Sequence, residues 1–214
     1  MPSRNPIPVI YTGAEVVQFL NLPLVPLTEP LRIAYAGLMM GSKGPQVLLS
    51  ALIQLKQQGI AFKAEFAGGF LDANGLEPFQ NFAVRGGISN NVRFLGRLDR
   101  EELRLFYGRH HVFVFPSIHP EGFGIVQVEA LASGLLVVSS GQGGARETVH
   151  DDLNGRRFAP GNPDQLTRVL VDIVKHRARH EAMRRFGRRL ARSHFDVRVS
   201  THKLSKLISE QVSQ

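Results

Sequence analysis

Cysteine is absent from the 214 residues, which excludes disulfides and thiolate metal sites and fits a reducing compartment. Long apolar runs are missing too: no stretch approaches the roughly 20 residues that a membrane-spanning helix needs. The amino terminus, MPSRNPIPVIYTG, has no apolar core and two early prolines, so no secretory signal is expected. There is no internal repeat, no low-complexity tract and no linker long enough to divide two domains. Acid is scarce mainly in one place. Between residues 175 and 192 eight basic side chains face a single acid, Glu181, and this segment carries most of the net charge of +8. The rest is ordinary: 43% hydrophobic and 21% charged residues suit one globular domain with a sizeable core.

Short apolar runs alternate with helical patterns from residue 30 to about residue 175. RIAYAG, AFKAEFAGG, VRFLG, HVFVFPS and LLVVSS read as strands. Helices are predicted over 43–58, where Val47, Leu48, Ala51, Leu52 and Leu55 make an apolar stripe, and over about 76–85. Asp99 reads as the cap of another, with Glu102 as its capping-box partner. After Pro163 the pattern is helical, over 164–175, about 179–193 and 197–209. Strands and helices at this spacing predict an α/β fold, a Rossmann-like, doubly wound parallel sheet with C-terminal helices. Residues 1–30 read as an N-terminal segment, 31–175 as the sheet domain, and 176–214 as basic helices packed on it. In such sheets ligands sit beyond the carboxyl ends of the strands, where the glycines of this chain collect.

Glu121 and Glu129, eight residues apart in HPEGFGIVQVEALASG, are the most informative pair. A strand ending at Pro116, a loop with Gly122 and Gly124, and a helix starting near Gly124 would aim N–H groups and a helix dipole at an anion. Carboxylates on either side of an anion seat suit a ligand with phosphates and sugar hydroxyls. A nucleotide sugar is one. Lys43, at the start of a helix where a cation opposes the dipole, points to an anionic partner. His119 reads as a structural or exposed imidazole, Asp151 and Asp152 as turn residues rather than a metal pair, and Met39 and Met40 as packing beside a loop.

In sequence the chain resembles the carboxyl-terminal, donor-binding domain of GT-B glycosyltransferases of family 4, which retain anomeric configuration. The resemblance rests on ordered blocks: VIYTGAE, AYAGLMMGSKG, VRFLGRLDREEL, FVFPS, EGFGIVQVEALASGLLVVSS and GGARETVHDDLNGRRFAPGNPDQL. It implies a UDP- or GDP-sugar as substrate, with no cofactor and no metal. It implies that Glu129 bonds the ribose hydroxyls, that Glu121 faces the donor sugar, and that Lys43 neutralises diphosphate oxygens. Gly37, Gly69, Phe123, Gly124 and Ile125 would line the donor, with Leu98 beside the base. Two departures stand out. Leu38 occupies the place of the family's arginine, leaving Arg97 or Arg146 as substitutes at the phosphates. The acceptor-binding N-terminal domain, from the same longer chain or a separate polypeptide, would have to be supplied.

These features predict the donor half of a hexosyltransferase, cytoplasmic and inactive by itself. Leu38 keeps open a non-catalytic regulatory or partner-binding descendant, and a nucleotide-sugar epimerase is a more distant alternative. The basic helix within 175–192 suits a solvated face or the inner face of an anionic membrane, not nucleic acid, because no aromatic side chains interleave its charges.

Overall fold

The computed structural model of the protein describes residues 9–70 and 75–212. The first eight residues of the N-terminal segment and the last two of the C-terminal one lie outside them. Helix α1 (Val17–Leu20) precedes strand β1 (Leu31–Ala36). Then come α2 (Pro45–Gln57), β2 (Phe62–Ala67), α3 (Glu77–Arg85), β3 (Val92–Gly96), α4 (Arg100–Gly108) and β4 (Val112–Phe115). The chain continues through α5 (Ile125–Ala132), β5 (Leu136–Ser139), β6 (Gly155–Arg157), α6 (Pro163–Lys175), α7 (Arg177–His194) and α8 (Val197–Val212).

The strands form one parallel sheet in the order β3-β2-β1-β4-β5-β6. This is the doubly wound sheet that the alternation predicts. Strand order reverses between β1 and β4, and a crevice opens where their loops part. Successive residues of each buried strand feed opposite faces. Ile33, Tyr35, Val112 and Val114 pack with Leu48 and Leu52 of α2 and with Leu166 and Leu170 of α6. Ala34, Ala36, Phe113 and Phe115 pack on the other side with Tyr107 of α4 and with Val128 and Leu131 of α5. Truncating a fully buried leucine such as Leu52 to alanine would cost about 2–5 kcal/mol.

Local signals set most helix starts. Asp99 and Glu102 form the capping box that opens α4. Asn162 accepts from Gln165 N–H and Pro163 opens α6. Helix α2 begins two residues later than predicted, because Gly41–Lys43 forms a separate 3-10 turn and Gly44 turns left-handed before Pro45. Two elements had no clear sequence signal: α1, one turn long, and β6, whose GRR owes its strand form to pairing with β5.

Helix α7 differs from a plainly solvated basic face. Arg184 is fully buried and donates to Gly134 O at 2.6 Å and Val25 O at 2.5 Å. Arg177 pairs with Glu29 and Arg179 with Asp152. Arg185, Arg189 and Arg192 remain as an exposed stripe. Helix α7 packs against α5, whereas α8 is almost wholly exposed from Thr201 to Glu210. No helix among the described residues is long and apolar enough to cross a membrane.

Candidate functional site

The loops after β1 and β4 touch at the switch point. Ile118 N–H donates to Ser42 O at 2.9 Å, and a Cβ on Gly44 would lie 1.9 Å from Pro116 O. With φ of +74° as well, only glycine fits there. The close approach brings Lys43 against Glu121. Lys43 Nζ donates to Glu121 Oε1 at 2.5 Å, and Ser117 Oγ donates to the same oxygen at 2.8 Å. The Glu121 side chain is 19% exposed, so the ion pair sits in a partly dried pocket mouth. A third loop supports it from behind. Ala145 N–H donates to Glu121 O at 3.2 Å, and Gly144 packs so tightly on Gly122 O that a Cβ would be 1.9 Å away.

Helix α5 opens directly from this loop, so the free N–H groups of its first turn and its positive dipole end face the same region. Tyr11 and Phe195 rings pack on Phe123, at 6.1 Å and 6.0 Å between centroids, and steady the loop. A cavity of about 580 Å³ results. It gathers Gly37, Leu38 and Lys43 from the β1 side and Glu121, Phe123, Gly124 and Ile125 from the β4–α5 side.

Other expected residues lie apart from that cavity. Glu129 is on α5, one turn beyond Ile125 and on the same side of the helix. The structure therefore brings only the first of the two carboxylates into the hollow, because Glu121 belongs to the loop and Glu129 to the second helical turn. Glu129 is half-buried and accepts from Tyr107 Oη at 3.4 Å. Burial pushes its carboxyl up to about 7, against the opposing pull of the Tyr107 hydrogen bond and the Arg100 charge. Gly69 stands behind the β1 loop, its carbonyl accepting from Met39 N–H at 3.0 Å. Leu98 packs against the α4–α5 side of the core. Neither proposed substitute for the missing guanidinium reaches the cavity. Arg97 is exposed past β3 at the sheet's edge, and Arg146 lines a separate hollow beside β6. Lys43 is the one cation among the lining residues.

His119 is exposed. Asp151 pairs with Arg156, and Asp152 with Arg156 and Arg179. Met39 is buried beside the β1 loop. Three site residues were missed from sequence. Ser117 had a usable signal, a hydroxyl at the carboxyl end of a buried strand four residues before Glu121. Tyr35 lines the cavity and donates to Leu38 O at 2.8 Å; burial, and then the Glu121 charge, raise its phenol well above the ordinary range. Tyr107 had none, since an apolar stripe on α4 does not say which ring carries its hydroxyl to Glu129.

The model of the family described as glycosyl transferases group 1 matches residues 24–190. The chain belongs to that family. It is 34% identical over 196 residues to a D-inositol 3-phosphate glycosyltransferase of Corynebacterium kroppenstedtii, covering 83% of this chain and 42% of that one. It is 31% identical over 173 residues to a GDP-mannose-dependent alpha-(1-6)-phosphatidylinositol monomannoside mannosyltransferase of Mycolicibacterium smegmatis, covering 78% and 44%. The group 1 chain thus spans less than half the length of these relatives. Its fold matches Anabaena Alr3699/HepE, solved in complex with UDP, with a TM-score of 0.81 and 23% identity over 95% of this chain and 57% of that one. The match is the carboxyl-terminal, α/β half of a GT-B transferase.

Proposed function

We propose that the domain binds the nucleotide-sugar donor of a retaining hexosyltransferase, with UDP or GDP as the nucleotide. The observation that carries this reading is the Lys43–Glu121 pair set beside the first turn of α5 in one cavity at the switch point. In the donor complex Lys43 exchanges Glu121 for diphosphate oxygens, and the α5 N–H groups share the charge that develops on the leaving diphosphate. Glu121, released from the lysine, faces the sugar. Glu129, one turn along α5 from Ile125, accepts from the ribose hydroxyls in its charged form. A relative that names GDP-mannose and a fold neighbour solved with UDP leave both bases as candidates.

The acceptor is held by a second domain, in line with the short span of this chain against its relatives. The 214 residues by themselves then bind nucleotide weakly and turn over essentially nothing. The exposed Arg185, Arg189 and Arg192 stripe offers a contact to an anionic membrane on the cytoplasmic side.

Calorimetric titration with UDP, GDP and ADP, on the chain and on Glu129→Ala, tests the donor reading. One nucleoside diphosphate should bind, and the variant should lose at least about tenfold in affinity. Leu38 favours a second reading, a non-catalytic domain that kept the fold, since it is 43% exposed and puts an apolar side chain where a guanidinium would meet phosphate. That reading gains if none of the three nucleotides binds.

A further inference from the structure

A second hollow, of about 490 Å³, opens between the loop after β5 and the end of β6. Two guanidinium groups line it, Arg146 from the 3-10 turn Gly144–Glu147 and Arg157 from the end of β6. Arg157 is anchored through Nη2, which donates to Gly141 O at 3.0 Å, while its Nε is buried without a partner. Among the described residues, no carboxylate pairs with the side chain of either arginine. The one acid in the lining, Asp151, accepts from Arg156 Nε at 3.2 Å and from Arg157 N–H at 2.8 Å, both through Oδ1. The remaining polar side chains there are Ser140, Gln142 and Gln165. Burial, and then the charge of Arg146, push the Arg157 guanidinium below its ordinary range, against the opposing charge of Asp151.

Two guanidiniums from different elements of one lining can share the several oxygens of a phosphate, each through its own pair of N–H groups. The hollow is also larger than a lone anion needs. We propose that it is a second anion site, separate from the donor cavity, which takes the phosphate of an ester ligand. Residues 143 and 144 of the same loop contact Glu121 and Gly122, so the ligand sits one loop away from the place assigned to the donor sugar. Anion binding there does not depend on the donor reading.

The test is a titration of the chain with inorganic phosphate at constant ionic strength, followed by amide chemical shifts, beside acetate as control. Saturable shifts at Gly141, Gln142 and Arg157 are expected, weakened about tenfold by Arg146→Gln and by Arg157→Gln. Among the described residues Arg146 has no structural contact of the kind that anchors Arg157, so its variant keeps the test valid if Arg157→Gln folds poorly. Lys43→Ala should leave the phosphate response unchanged even if it abolishes nucleotide binding. Loss of the response in Lys43→Ala but not in Arg146→Gln would place the anion in the donor cavity and overturn the proposal, as would an equal response to acetate or none to phosphate. Phosphatidylcholine vesicles containing phosphatidylinositol then separate the sources. Vesicle binding that Arg146→Gln weakens assigns a lipid headgroup; binding that it leaves intact belongs to the Arg185, Arg189 and Arg192 stripe, and the site's ligand is then a soluble ester.

Discussion

Glu121 and Glu129 share one short stretch of chain, yet their surroundings are opposite. Glu121 Oε1 meets Lys43 Nζ at 2.5 Å and Ser117 Oγ at 2.8 Å at the mouth of an open cavity. Glu129 sits against the buried ring of Tyr107 and is driven up to about 7 by desolvation, against the charge of Arg100. One carboxylate is held by a counter-charge in direct contact; the other meets a phenol hydroxyl in desolvated surroundings. A sequence motif with two identical residues thus encodes two different environments, separated by the packing of α4 and the β1 loop.

Lys43→Ala should have the largest effect. It removes the one cation in the cavity lining, and nucleoside diphosphate affinity should fall by about 2–3 kcal/mol, roughly 30- to 150-fold. Calorimetry reads this directly, and a loss under about threefold would mean that the diphosphate is held elsewhere.

Glu129→Gln comes next and acts on stability. In the native state the carboxyl keeps its proton up to about 7, whereas the unfolded chain releases it near the ordinary carboxylate value. The resulting stability is therefore complete below the unfolded value and is lost as pH rises through about 7. The variant should be more stable than the native chain at pH about 8, with a ceiling of about 3 kcal/mol, and level with it in acid. Urea titrations at the two pH values decide it. The same proton governs the ligand: if the charged form accepts ribose hydroxyls, affinity drops about tenfold per pH unit below the midpoint, and a flat profile would remove Glu129 from the site.

The sheet and most of the helices were legible because each buried strand is a short apolar run and each crossover helix carries its own stripe or cap. Strand β6 was not, since GRR becomes a strand through its neighbour Val137–Ser139 and not through its own side chains. At the site, glycines and acids at strand ends announced the loops, and Gly44 and Gly144 prove to be contacts between loops. Which side chains meet was less visible. Arg146 and Arg184 look alike in sequence, yet one lines a hollow and the other is buried donating to carbonyls from two distant segments. Such long-range partners leave no periodic trace.

Glu121→Gln sharpens the contrast from the other side. Freed from its carboxylate, Lys43 should meet a diphosphate more readily, so UDP or GDP without sugar should bind about three- to fivefold tighter, within the range of a part-exposed ion pair. Weaker binding would show that Glu121 itself contacts the nucleotide.

Tyr107→Phe should do least and is the most specific. The 3.4 Å contact is at the long limit of a hydrogen bond, so stability should change by less than about 1 kcal/mol. Its direction is still fixed. The hydroxyl donates to the charged carboxylate and so favours it; without that donor, desolvation acts unopposed at that oxygen and the Glu129 midpoint should rise by a few tenths of a pH unit. Carboxyl carbon shifts followed through the titration would show the change. A midpoint that moves down instead would mean that the ring, not the hydroxyl, sets the environment of Glu129, and that the carboxylate is more open to water than its packing against α4 implies.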